Sequence, residues 1–520
     1  YLREPEFKPI LRAKAIAFEN AAGRDREVLD ELGNTVLYGH PDAQAILTKI
    51  QVENDRLLIL RNTVEGERPA GFVSYREIGN EDLFGVLKDM ELANLVRGKS
   101  SREILLITGI YAREDGTGDS GVIRDAPQQL LVEVLAKELE KNYSFALFVA
   151  ERGTATKEVV YVLERQGFIR PHMADENDKR TIYMVDMHEP LMFLHNLDTT
   201  IKEPFASNPA VLDAVEKNHK KLQIAMTKLY PGNLVLSLSS GIMYHRLVDR
   251  ITALNDVPRE PLVPRRLGKN MCVPFGKILR GKVVPNTVTK TLHTDKVYEP
   301  DLNSFTIEPF PYYSPLKSQI ETIKSFDRPV ILVDDLVHKA DRLQVLVPQL
   351  REDGIPIRKV VVGVLSGYGR DLMQCLKVPV ESIYSMPNLR QWFVESTLYP
   401  FIGGDTVRRE EMKVAGLQPS INMILPYATP RLSGCSREAL VEFSACCIEN
   451  SRDLFQVLEA EYRKMYAKNL TLSRLSEAVI LPLCPDKGSC MEYDENLAAS
   501  VYLENDLETL WRMKEFLIKG

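Results

Sequence analysis

Two adjacent carboxylates, Asp334 and Asp335, close the apolar run Val330-Ile331-Leu332-Val333. Acids at the carboxyl end of a buried parallel strand stand where open α/β sheets bind ligands; the plainer alternative is that they cap the following helix. The next segment reads His338-Lys339-Ala340-Asp341-Arg342 and holds no glycine. Its Cβ atoms obstruct a backbone cradle for phosphate, which leaves Lys339 and Arg342 as side-chain ligands opposed by Asp341. A second loop has the opposite character. Arg113-Glu114-Asp115-Gly116-Thr117-Gly118 lies between the apolar run ending at Tyr111 and a helical segment opened by Pro127. Such a loop presents free N–H groups and a positive helix end to an anion, through Arg113, Gly116, Thr117 and Gly118; a plain turn is the alternative. A third candidate is Ser239-Ser240-Gly241, a small-residue turn after Leu234–Leu238.

Metal-ligand spacing is missing. All seven cysteines lie at or beyond Cys272, all eight histidines at or before His338, and Cys484 to Cys490 is too wide for a C-x2-C pair. No metal site is expected, and the thiols are expected to be reduced and mostly buried.

The elements that must position these residues follow from apolar periodicity. Leu57–Arg61 and Ala70–Arg76 read as strands of a hairpin around Glu65-Gly66-Glu67-Arg68-Pro69. Ile104–Tyr111 is the strongest strand of the first third. Leu130, Leu131, Val134, Leu135 and Leu139 then recur at helical spacing. A strand over 145–150, a helix over 154–166 ending at Gly167, and a last strand over 181–187 complete this part. A polar helix over 208–230 connects it to a new strand at Leu234. The runs 330–335 and 360–365, with a helix over 341–353, form a β-α-β unit. Beyond Pro387 only Asn422-Met423-Ile424-Leu425 reads as a strand, and 437–519 is mostly helical.

Over roughly residues 10–190 the order of hairpin, long strand, glycine loop, helix, strand and helix ending Gln166-Gly167-Phe168 resembles the GNAT superfamily of acyl-CoA N-acyltransferases. The resemblance implies a mixed-sheet α/β domain whose Arg113, Gly116 and Gly118 hold the pyrophosphate of acetyl-CoA. Leu163 stands where that family carries its general-acid tyrosine, so Tyr161, two residues earlier, is the candidate acid. Over roughly 230–390 the chain resembles type I phosphoribosyltransferases. Four apolar residues, Asp334, Asp335 and two further apolar residues match the signature that meets PRPP and its Mg2+. Ser239, Ser240 and Gly241 sit where that family places its pyrophosphate loop. The basic stretch 263–291, with Lys269, Lys277, Arg280, Lys282 and Lys290, sits where it carries a mobile flap; a solvated loop is the alternative.

At 520 residues the chain exceeds one core, and 44% hydrophobic with 27% charged residues is a globular composition. A formal charge of −6 argues against a general nucleic-acid binder, and no stretch approaches the roughly 18 apolar residues of a membrane span. A cytoplasmic protein is expected. The sequence opens on Tyr1 rather than Met, which leaves room for further domains of a longer chain. The expected organisation is a GNAT-like α/β domain over 1–195, a helical connector over 196–230, a phosphoribosyltransferase-like parallel-sheet domain over 231–390 and a mainly helical region over 391–520. Small phosphate-containing molecules are the expected partners. Three functions stay open: an acyl-CoA-dependent N-acetyltransferase of unknown acceptor, a nucleotide or sugar-phosphate transferase at Asp334/Asp335, or a non-catalytic ligand-sensing or assembly module.

Overall fold

A computed structural model of the chain describes residues 16–63, 66–79, 81–88, 90–99, 103–113, 125–151, 156–171, 180–263, 266–408, 416–430, 432–485 and 493–519. Two units emerge from its packing. The first comprises Tyr1–Met192, Pro231–Ile242 and Tyr384–Gln391; the second comprises Phe193–Tyr230, Met243–Ile383 and Trp392–Gly520. Among the described residues no helix is long and apolar enough to cross a membrane.

The apolar runs of the first third become one mixed sheet. In chain order its elements are β1 (Ile16–Ala22), α1 (Arg26–Asn34), α2 (Ala43–Glu53), β2 (Arg56–Asn62), β3 (Arg68–Ile78), α3 (Leu83–Leu87), α4 (Met90–Lys99) and β4 (Ile104–Ala112). Then follow α5 (Ala126–Glu138), β5 (Phe145–Glu151), α6 (Lys157–Arg165) and β6 (Arg180–His195). The strands lie in sequence order, antiparallel except for β4 beside β5. Leu57 to Leu60 of β2 are buried without interruption because the sheet is covered on both faces. One face packs Leu57, Ile59 and Phe72 against Leu29, Leu32 and Ile50 of α1 and α2. α5 packs on β2, β3 and β4. Each buried leucine of this kind contributes about 1.5–3 kcal/mol.

The second unit holds α7 (Pro209–Leu229), which Asn208 caps and Pro209 opens. Before the parallel strands in the chain come β7 (Asn233–Ser239), which belongs to the first unit, and α8 (Ser240–Leu254). The parallel sheet is built from β8 (Met271–Pro274), β9 (Val288–Thr289), β12 (Val330–Val337), β13 (Ile357–Ser366) and β14 (Val380–Met386), in the order β14-β13-β12-β8-β9. Between them run β10 (Thr294–Tyr298), β11 (Phe305–Pro309), α9 (Leu316–Lys324), α10 (Asp341–Glu352) and α11 (Gly367–Cys375). β12, α10 and β13 are the expected β-α-β unit: Leu343, Leu346, Val347 and Leu350 of α10 close over Val330, Leu332, Val360 and Val362. The remainder comprises β15 (Gln391–Val394), α12 (Glu395–Leu398), β16 (Asp405–Val407), β17 (Gln418–Ile421), α13 (Arg437–Tyr466), β18 (Leu483–Pro485) and α14 (Ala499–Lys519). α13 packs against both α7 and α14.

The structure departs from the sequence reading at several elements. Asn422–Leu425 is a turn, since Ile424 N–H bonds back to Asn422 O and Leu425 N–H is taken by Ser444 Oγ of α13. The strands beyond Pro387 are instead the short β15 to β18. β7 pairs with β6 in the first sheet rather than joining β12, and it passes straight into α8 at Ser240. An apolar run specifies a strand without specifying its neighbour.

Candidate functional site

β4 carries the first site. It pairs with β3 along its length but with β5 only from Leu105 to Ile107. Beyond Ile107 the two parallel strands part: Gly109–Ala112 stay paired with β3, and Val149–Glu151 with β6. The opening lies at the carboxyl ends of the strands, where a ligand's amide groups can pair with a strand edge.

Thr108 is the first residue past the split. Ser74 pairs with Gly109 and Tyr75 with Ile107, so Thr108 is bulged out of the ladder. Its Oγ1 donates to Asp55 Oδ2 at 2.6 Å and lies 2.8 Å from Ser74 Oγ. Asp55 is fully buried, and its Oδ1 accepts from Arg76 Nη1 at 3.0 Å. The bulge is thus fixed by a charged network, not by loose packing. Two residues on from Gly109, the Tyr111 ring fills the space that a Cβ at Gly109 would need and lies 4.9 Å from Phe72. Burial first, then Asp55 and Asp42, pushes its phenol up to about 12.

Arg113 continues from β4, its N–H bonded to Ala70 O at 3.0 Å. Gly116, Thr117 and Gly118 lie outside the described residues. Where the loop reaches α5, Asp125 adopts a left-handed φ of 67° and its carboxylate is bound by Arg165 Nη2 at 2.5 Å. Buried Arg165 also meets Gln128 at 2.8 Å. The acid that would repel an anion at the start of α5 is therefore neutralised from α6. Gly167 ends α6 at φ +88, where a Cβ would lie 2.1 Å from Asn233 O of β7. Leu163 is fully buried, whereas Tyr161 is 41% exposed with the Arg165 guanidinium 5.2 Å over its ring.

The acidic pair of β12 is built differently. Both oxygens of Asp335 are occupied: Oδ2 accepts from Lys277 N at 2.7 Å and Oδ1 from Ile278 N at 3.0 Å. The carboxylate braces the turn after β8. Gly276 permits this approach, since a Cβ there would lie 2.5 Å from Asp335 Oδ1 and 2.7 Å from Asp334 Oδ1. Asp334 Oδ1 accepts from Asp335 N at 2.9 Å and faces Arg342 Nη1 at 3.8 Å. Burial raises its carboxyl, against the pull of Arg342. Lys339 is exposed, and Ala340 takes a left-handed φ of 53° before α10. Asp341 at the helix start binds Lys296 at 3.2 Å.

The basic stretch turns inward at two residues. Burial, and then Arg280, lowers the Lys277 ammonium; burial, and then Arg342, lowers the Arg280 guanidinium. Arg280 stacks 4.4 Å over Phe310. Burial, then Arg280 and Lys290, brings the nearby His293 imidazole down to about 4. Lys277, Arg280 and Arg342 therefore share one half-buried region with Asp334 and Asp335. Ser239 ends β7 and Ser240 and Gly241 open α8 with no intervening loop; the expected pyrophosphate turn is not formed there because the helix starts at once.

Sequence reasoning missed Asp55, Ser74 and Thr108, since a bulge leaves no mark in an apolar run. It also missed a cluster of the partly exposed His195 and His219 with the buried Glu395 in the second unit, whose separations of 24 and 176 residues match no motif. Of the six described cysteines, Cys272 and Cys447 are buried and Cys375 is exposed.

No family model and no curated protein matches the chain. The solved structures similar to its N-terminal third include GNAT acetyltransferases. An acetyltransferase of the GNAT family from Bacillus cereus is 14% identical over 33% of this chain and 96% of its own, with a TM-score of 0.21. FeeM, an N-acyl amino acid synthase from uncultured soil microbes, is 14% identical over 34% and 92%, with a TM-score of 0.25. The catalytic domain of a Tetrahymena histone acetyltransferase in complex with coenzyme A is 11% identical over 33% and 94%, with a TM-score of 0.23. At such identities and TM-scores the likeness carries no weight in assigning a function.

Proposed function

We propose that the first unit binds an acyl-CoA along the opening between β4 and β5 and transfers its acyl group to an amine, with acetyl-CoA as the donor. The observation behind this is the parting of β4 from β5 after Ile107, next to the bulge at Thr108. The pantetheine arm of an acyl-CoA is an extended chain with two amides, suited to pairing with a strand edge. A backbone N–H released from the ladder by the bulge can meet the thioester oxygen as charge develops on it. The amine nitrogen attacks the thioester carbonyl; the C–N bond forms, the C–S bond breaks, and the thiolate receives the proton that the amine loses. Holding both reactants in line supplies most of the acceleration, so no protein acid is required. Arg113 and the start of α5, where Arg165 pairs with Asp125, are the candidate contacts for the phosphates.

The test is release of free CoA thiol from acetyl-CoA by the full chain over a panel of amines, with a thiol reagent as the readout. Amine-dependent release is expected. A panel without release, together with no effect of acetyl-CoA on melting, would sink the reading.

A second reading places a sugar-phosphate ligand, PRPP with Mg2+, at the end of β12. The convergence of Lys277, Arg280 and Arg342 beside Asp334 favours it. A melting shift with PRPP and Mg2+ that Arg280→Ala abolishes is the expected result; no shift in the wild-type chain would exclude it.

A further inference from the structure

β6 and β15 are neighbours in their sheet, and both run out within the second unit. His195 is the last residue of β6, and Glu395 follows the last residue of β15. The residues next to them are tied together: Asn196 Oδ1 accepts from Ser396 N at 3.0 Å, and Asn196 Nδ2 donates to Ser396 Oγ at 3.1 Å. α7 lays His219 over this pair. Its position is fixed by Asn218, which exchanges two hydrogen bonds with Asn450 of α13, at 2.8 and 3.0 Å. Three elements distant in sequence thus present two imidazoles and one carboxylate to a common point.

His219 Nε2 lies 2.5 Å from Glu395 Oε2. His195 Nδ1 stands 3.8 Å from the same oxygen, too far for a hydrogen bond to it, and the two rings are 4.2 Å apart. One nitrogen or oxygen from each of the three residues falls within a span of 4.8 Å. Glu395 is fully buried, yet its Oε1 has no hydrogen-bond partner among the described residues. Leaving a buried carboxylate oxygen unmatched is costly, so a simple His219–Glu395 pair does not account for the arrangement.

Gln223, one turn beyond His219 on α7, supplies the independent observation. Its Nε2 lies 3.0 Å from His195 Nε2, while its Oε1 is buried without a partner. With the Gln223 amide turned so that its oxygen accepts from His195 Nε2–H, that oxygen gains its partner. Nε2 of His195 is then the protonated nitrogen, and Nδ1 carries its lone pair toward Glu395. An outer partner that fixes a histidine tautomer and aims its free nitrogen is the arrangement found around metal ligands.

We propose that His195 Nδ1, His219 Nε2 and Glu395 bind one divalent transition-metal ion, with Gln223 orienting His195. Two imidazoles and a carboxylate are a donor set suited to zinc, and three protein ligands leave a coordination position for water or another small ligand. Glu395 closes the buried side, while the histidines, with side chains 15% and 22% exposed, border the accessible side. The site is separate from the acyl-transfer reading and stands or falls without it.

The full chain is stripped with a chelator, refilled with Zn2+ and analysed for metal; Co2+ loading gives visible absorption bands that report nitrogen and oxygen ligation. About one ion per chain is expected. His219→Ala and Glu395→Gln should abolish stoichiometric binding and the Co2+ bands. Gln223→Ala, which removes no ligand, should weaken binding by about 10- to 100-fold with folding retained, keeping the test decisive where a ligand variant fails to fold. Wild-type chain that takes up no stoichiometric Zn2+ or Co2+, or binding unchanged in all three variants, would overturn the proposal.

Discussion

The carboxyl ends of β4 and β12 are both strand mouths with polar residues, yet they spend those residues in different ways. At β12, Asp335 gives both oxygens to backbone N–H groups of its own fold, and Asp341 at the start of α10 is matched by Lys296. At β4, side chains spend their bonds holding a bulge: Asp55, Arg76, Ser74 and Thr108 satisfy one another, and the facing strand edges diverge. At β4 the side chains stabilise an irregular backbone, and the two strand edges are left apart. At β12 the oxygens of Asp335 are spent on the neighbouring turn.

The largest effect that sharpens this contrast concerns Asp335. Asp335→Ala strands two N–H groups and should lower stability by about 3 kcal/mol in urea denaturation, at about 1–3 kcal/mol per unmatched group. Asp335→Asn, which keeps one acceptor, should cost less. A loss near zero for Asp335→Ala would break the description of that carboxylate as a brace.

Thr108→Val keeps the shape of the bulged residue and removes its hydroxyl. A loss of about 1–2 kcal/mol is expected, measured as a lower melting temperature, with a smaller stabilisation by acetyl-CoA. An unchanged response to acetyl-CoA would detach the bulge from binding.

Asp334 tests the electrostatics of the β12 end. Burial raises its carboxyl in the folded chain, so above the ordinary carboxylate range the native state holds a proton that the unfolded chain has lost. Stability is therefore complete at low pH and falls as pH rises toward the raised value. Asp334→Asn removes that fall and should be the more stable protein at pH 8, by about 1 kcal/mol or more, with the gap closing toward pH 4. Denaturation curves at the two pH values decide it.

The smallest effect belongs to Tyr161. Tyr161→Phe alters an exposed ring edge, so stability should stay within about 0.5 kcal/mol. The acyl-transfer rate should stay near that of the wild-type chain, against a fall of about 10²–10⁴ for a phenol that delivers the proton.

Much of the scaffold was legible. Leu57–Leu60, Ile104–Tyr111 and Val330–Val333 announce buried strands, and Pro209 and Gly167 mark where helices begin and end. β1 was not, because Glu19 and Asn20 interrupt its apolar character. Local pattern also says nothing of partners, which is why β7 was expected in the second domain's sheet and lies beside β6. The acids Asp334 and Asp335 were found by their position in the sequence, but which atoms bond Asp335 depends on Lys277 and Ile278, 58 and 57 residues away. The cluster of His195, His219 and Glu395 depends on β6, α7 and β15 converging, which no spacing encodes.

The parted strands are tested most directly by amide hydrogen exchange of the full chain with and without a non-hydrolysable acetyl-CoA analogue. Slower exchange confined to peptides covering Thr108–Ala112 and Val149–Glu151 is the expected result. Saturating analogue that leaves those peptides exchanging at their ligand-free rates would contradict an acyl-CoA seat between β4 and β5.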